Sequence, residues 1–168
     1  MKSKSKHLTH HSSLITRHCF YMRLATESHQ LIETFMAERF GLETLKFPPV
    51  YLYHGRVATL VTRLFKISAI TFGRHIFVAS KMIVRDESGR LSIPGWLIAH
   101  EATHVWQYER AGVFGFLFSY LRGYWRALRG QRMWSGEARM AAYLAIEEEC
   151  DARETEAAFM DWIARGER

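Results

Sequence analysis

SIPGWLIAHEATHVWQYERAG, residues 92–112, is the stretch on which both fold and chemistry turn. Pro94 suits a helix start because its φ is already fixed, and Gly112 supplies a stop. The pattern between them predicts a helix over 95–110. That helix carries His100-Glu101-Ala102-Thr103-His104, an H-E-x-x-H. Side chains four residues apart stack one turn apart on the same helix face. Two imidazoles so placed can share one Zn2+. Glu101 projects beside them, within reach of a proton on a metal-bound water. With nine histidines in the chain, composition alone yields roughly 0.04 such motifs, so the motif is not an accident of composition. Ile98, Ala102, Thr103, Val105 and Trp106 are uncharged, as the other faces of a core-packed helix require.

Upstream, Leu31, Ile32, Phe35, Met36 and Phe40 have helical spacing and predict a helix over 28–40, stopped at Gly41. Pro48-Pro49 breaks the chain, and 50–53 reads as a short strand. Val57, Leu60, Val61, Leu64 and Phe65 mark a second helix. Residues 68–71, a turn at Phe72-Gly73, and 75–79 read as a hairpin of β-formers. Residues 86–89 are a loop. Downstream, 114–128 is predicted to be an aromatic-rich helix with Arg122, Arg126 and Arg129 spaced along it. The Ala- and Glu-rich stretch 137–164 is predicted to form one long helix. The fold class expected is α+β: a small, mostly antiparallel sheet or hairpin packed on the helix of the motif, with further helices C-terminal.

The chain has 168 residues, a one-domain length able to bury a core. Residues 1–25 are basic, rich in Ser and His, and free of acids. They are expected to be a disordered tail, leaving 26–168 as a single domain. The same composition fits a transit peptide, or a start at Met22. Cys19 and Cys150 make no disulfide framework. No run approaches the ~20 apolar residues of a membrane span, and no apolar h-region of a secretory signal is present. A cytoplasmic location is the expectation. The net charge of +6 favours anionic partners in general. It is spread out and accompanied by no nucleic-acid-binding motif, so no nucleic-acid partner is expected.

A catalytic zinc site usually has three protein ligands and one open position. The third ligand has an obvious source in the acidic stretch Glu147-Glu148-Glu149-Cys150-Asp151-Ala152-Arg153-Glu154. Most of those carboxylates belong on a solvated helix face. Glu147, Glu149 and Glu154 are the candidates to point inward. His7, His10 and His11 fall in the tail, and His54 and His75 beside strands, where a structural role is the commoner one.

In wording and order, "VYLYHG", "ISAITFGRHIFVA" and "SIPGWLIAHEATHVWQYERAG" resemble the zincin-like metallopeptidase domain family associated with extracellular contractile injection systems, together with its stand-alone bacterial relatives. "FGFLFSYL" and "AYLAIEEECDA" continue the likeness, which spans roughly residues 50 to 157. The resemblance implies a zincin-like fold, a bound Zn2+, His100 and His104 as ligands, Glu101 as catalytic base and Glu149 as third ligand. Tyr143, Ile146, Asp151 and Ala152 keep step with Glu149. Glu147 stands where the family usually has proline. That departure keeps Glu147 in play, because with Asp151 it also fits the E-x-x-x-D spacing of glutamate-type zincins.

The function expected is metal-assisted hydrolysis of a peptide bond in a protein or peptide substrate. The substrate is expected to lie along the edge of the 75–79 strand. Tyr108 and Tyr143 are possible oxyanion donors. The rival is a non-catalytic zinc-binding docking or delivery module, which needs no Glu101. A third possibility is peripheral membrane contact through 111–132, where aromatics and arginines share one helix. Against it stands a core helix whose arginines pair with the acidic C-terminal helix.

Overall fold

A computed structural model describes residues 20–65, 67–85, 91–131 and 135–166. The chain runs β1 (Phe20–Arg23), α1 (Thr26–Arg39), β2 (Tyr51–His54), α2 (Arg56–Phe65), β3 (Ala69–Phe72), β4 (His75–Val78), a 3-10 turn at Ser80–Met82, β5 (Val84–Arg85), β6 (Leu91–Ser92), α3 (Gly95–Arg129), α4 (Gly136–Leu144) and α5 (Glu147–Ala164). The architecture is α+β, as expected. The element order also follows the sequence pattern closely from α1 to β4.

The four-stranded sheet has the order β1-β2-β4-β3. It is mixed, which corrects the mostly antiparallel expectation. β1 runs antiparallel to β2 and β3 antiparallel to β4, but β2 and β4 are parallel, with Leu52 opposite Ile76. The cause is the path of the chain after α2. It runs first along the outer strand β3, opposite in direction to β2, and the β3–β4 hairpin then turns it back, so β4 enters beside β2 in the same direction. The expected β3–β4 hairpin is present, turning at Gly73, whose φ of 59° favours glycine.

Two further expectations are corrected by the strand order. The 75–79 strand has no free edge, because β4 lies between β2 and β3; the edge belongs to β3. The expected tail over 1–25 ends too late, because Phe20–Arg23 gains backbone hydrogen bonds as the opposite edge strand, β1. Residues 1–19 and the expected loop at 86–89 lie outside the described residues.

The core joins α1, the sheet, α3 and α5. Phe35 and Met36 of α1, Leu52, Ile76 and Val78 of the sheet, Leu97 and Val105 of α3, and Phe159 and Trp162 of α5 belong to one buried cluster. α3 and α5 approach closely where α3 begins. A Cβ built on Gly95 would lie 3.1 Å from the Phe159 ring, so glycine permits the contact.

Within α3, Gly112 has φ 69° and ψ 166°, a conformation nearly confined to glycine. It divides α3 into the predicted pair of helices. The single helix expected over 137–164 is instead two. Ile146 is extended, with φ −66° and ψ 131°, and ends α4 from α5. No Gly or Pro marks that break. Ile146 is completely buried, and its side chain lies beside Gly123 of α3. Burial of one β-branched side chain overrides the helix propensity of its Ala and Glu neighbours. Among the described residues no helix is long and apolar enough to cross a membrane.

Candidate metal centre

The first half of α3 places His100 and His104 one turn apart, with ring centroids at 5.1 Å. α5 packs across α3 and brings its first turn to the same spot. Glu149 Oε2 lies 3.5 Å from His100 Nε2, and Glu149 Oε1 lies 3.5 Å from His104 Nε2. One ligand atom from each of the three residues falls within 4.8 Å of the others. Tetrahedral coordination with bonds of ~2.0–2.1 Å would separate its ligand atoms by about 3.3 Å, so the trio could hold a metal ion with little rearrangement.

The outer ring nitrogens are held from behind. His100 Nδ1–H donates to Glu156 Oε2 at 3.2 Å. His104 Nδ1–H donates to Gln107 Oε1 at 2.9 Å. Gln107 is fixed in turn, donating from Nε2 to Asp151 Oδ2 at 2.9 Å and to the Glu148 carbonyl at 3.2 Å. Both imidazoles are thereby turned so that Nε2 faces Glu149, the orientation that supporting hydrogen bonds give to metal-binding histidines. Asp151 supports His104 through Gln107, one link further away than the E-x-x-x-D spacing suggests.

Glu149 is 3% exposed. Tyr120 donates to its Oε1 and Tyr143 to its Oε2, each at 2.7 Å. Burial alone would raise its carboxyl. Hydrogen bonds to His100 and His104, the His104 charge and the Tyr143 hydroxyl outweigh that and hold it well below the ordinary carboxylate value. The tyrosines move the other way: burial, then the Glu149 charge, pushes the Tyr120 and Tyr143 hydroxyls far up, so both remain donors. Glu147 and Glu154 are exposed and do not join the group. Both share α5 with Glu149, but at 100° per residue each lies about 140–160° around the helix from it.

Glu101 is buried, and its Oε2 accepts a 2.7 Å hydrogen bond from Thr71 of β3. Burial raises its pKa, more than His104, Thr71 and His100 lower it. His104 is pulled down by burial, but Glu149 and Glu101 outweigh this and its pKa is raised.

A cavity of about 690 Å³ opens over the trio, with Ile70 and Thr71 of β3, Tyr108 and Phe116 of α3, and Met140 of α4 among its walls. Tyr108 stacks on Phe116 with ring centroids 4.0 Å apart. Burial pushes its hydroxyl up to about 12. His75 is elsewhere: it stacks on Tyr51 and shares a 3.0 Å hydrogen bond with the Tyr53 hydroxyl. Neither His54 nor His75 belongs to the trio. Sequence reasoning missed Tyr120 and Glu156. Tyr120 lies within an apolar run, where an aromatic reads as core, and Glu156 lies in a helix rich in acids.

Two imidazoles and a carboxylate converging under a cleft define a candidate metal centre. Residues 28–112, half of the chain, match the family model of the eCIS core domain. The chain belongs to that family. No curated protein and no solved structure matches it. The matched stretch begins earlier than the resemblance read from the sequence and ends at Gly112. It contains His100, Glu101 and His104 but not Glu149, whose place at the centre rests on geometry.

Proposed function

We propose that this protein is a zinc-dependent, zincin-like metallopeptidase in which His100, His104 and Glu149 hold the metal and Glu101 is the catalytic base. The observation that carries the proposal is the trio itself, with its ligand atoms within 4.8 Å of one another and a cleft above it. A nitrogen and oxygen donor set of two His and one Glu suits Zn2+, and it is the set of a catalytic rather than a structural site. Structural zinc sites close all four positions with protein ligands. Among the described residues three converge, and one side is left to the cavity.

Zinc bound there would supply Lewis acidity, making a water acidic and polarising a carbonyl. The chain's own residues do the rest. Glu101 sits on the metal-facing helix one residue from His100, and its raised pKa suits a group that takes a proton from water and passes it to the leaving amine. Thr71 fixes one carboxylate oxygen and leaves the other for that work. Tyr120 and Tyr143 keep Glu149 ionised and oriented.

The free edge of β3 supports a peptide as substrate. The Ala79 N–H donates to the Ser68 carbonyl at 2.9 Å. By the alternation of an antiparallel ladder, the backbone groups of Ala69 and Thr71 then point away from β4. Both residues line the cleft, so an extended peptide could add as a further strand beside the metal.

Glu101→Gln tests the proposal against a non-catalytic metal-binding module. It keeps size and hydrogen bonding but removes the base. Purified protein should contain about one zinc per chain, and the variant should retain it while peptide hydrolysis falls roughly 10²–10⁴-fold. Hydrolysis unchanged in Glu101→Gln, or zinc absent from wild-type protein refolded with it, would overturn the reading.

A further inference from the structure

We propose that the rim of the cleft docks on an anionic lipid bilayer surface. Phe114 is 88% exposed and Phe118 68%, and on α2 Leu64 is 74% and Leu60 69% exposed. These side chains are ordered in stripes. At 100° per residue, Phe114, Phe118, Leu121 and Trp125 of α3 fall within an arc of about 60°. Arg129, Arg122 and Arg126 follow within about the next 80°. On α2, Val57, Leu60 and Leu64 share an arc of about 60°, with Arg56 and Arg63 beside it. Both stripes reach the cleft, which Leu64 and Leu121 line.

The charges select the partner. Neither 56–65 nor 111–132 contains an Asp or Glu. The sequence left open a core helix whose arginines pair with the acidic C-terminal helix. Among the described residues, Arg122, Arg126 and Arg129 make no ion pair, and Arg122 lies over the Phe118 ring at 5.8 Å. A second copy docking on the same face by a two-fold axis would bring arginines against arginines. Acidic headgroups above an acyl boundary match both features: apolar side chains enter the boundary, and arginines meet the phosphates and carboxylates. The cleft would then open toward the membrane surface and receive peptides presented there. The docking does not depend on the metal or on hydrolysis, and its test uses neither.

The full chain is sedimented with vesicles of phosphatidylcholine alone and of phosphatidylcholine with phosphatidylserine. Wild type should bind the second and not the first, and should dissociate as salt rises. A cationic side chain near an anionic surface contributes roughly fivefold in binding. Arg122→Glu with Arg126→Glu should therefore weaken partition by at least about 25-fold. Lys46→Glu with Arg23→Glu, an equal charge change on other elements, should weaken it much less. Phe114→Ser with Phe118→Ser should weaken binding with all charges kept. The basic segment before residue 20 is present in every variant, so it cannot produce a difference between them. The proposal is overturned if wild type ignores anionic vesicles, if the two charge variants bind alike, or if the Phe variant binds like wild type. It is also overturned if wild type is a dimer in solution that the Phe variant dissociates, because the face then belongs to a second copy.

Discussion

Glu149 receives two tyrosine hydroxyls at 2.7 Å and faces two imidazole nitrogens at 3.5 Å. A buried carboxylate with that many partners has one use for each oxygen that a solvated neighbour cannot imitate. Glu147→Ala and Glu154→Ala should therefore leave zinc affinity near wild type. Glu149→Ala should lower it by more than the roughly 10–100-fold that loss of a supporting hydrogen bond costs. Competition with a fluorescent zinc chelator measures all three side by side, and equal affinities would remove Glu149 from the centre. Tyr120→Phe is the finer probe. It deletes one donor from Oε1 and should cost roughly 10–100-fold in zinc affinity with the fold unchanged. His100, Glu101 and His104 were legible in the sequence because a helix turns their spacing directly into geometry. Tyr120 was not, because its role depends on which way α3 turns after Gly112. No local pattern states that.

Gly112 controls that turn. Its φ of 69° and ψ of 166° lie where an L side chain is strained, although a Cβ there would meet nothing within 4 Å. Gly112→Ala should therefore cost about 1–3 kcal/mol through backbone strain alone. Calorimetry should show a melting temperature lower by roughly 2–4 °C for each kcal/mol. An unchanged melting temperature would mean that the two halves of α3 tolerate another junction. The Gly112 break was legible because glycine announces it. The Ile146 break was not, because the signal there is burial against Gly123 rather than a breaker residue. It matters all the same: ending α4 at that point lets Tyr143 reach Glu149, six residues further along the chain. Strand order was hidden for a similar reason. The sequence marks the β3–β4 hairpin locally, but the parallel β2–β4 pairing depends on which strand of that hairpin docks beside β2, a tertiary choice that no local pattern states.

At the proposed metal centre the stability of the whole molecule would be linked to protons and metal together. In the metal-free protein His104 has a pKa raised above its ordinary 6.5 and Glu101 one raised above 4.5. A group that binds protons more tightly when folded stabilises below its unfolded pKa, and that stability is lost as pH climbs through the folded value. Glu149 has the opposite sign. Its pKa is depressed from 4.5, so its contribution is present above 4.5 and is lost as pH falls. The signs together place the greatest metal-free stability contributed by this cluster near 4.5, with a decline above it as Glu101 and then His104 give up the protons they hold more tightly when folded. Zinc at the proposed centre would take the place of the proton between His104 and Glu149, so it would bind against proton competition and gain on it as pH rises. The melting temperature with zinc minus that with chelator should accordingly be small near about pH 5 and grow steadily to about pH 8. Titrations elsewhere in the molecule affect both forms and cancel in the difference. A zinc increment that stays flat over that range would mean that binding displaces no proton from His104, and the ion would have to be held somewhere other than this centre.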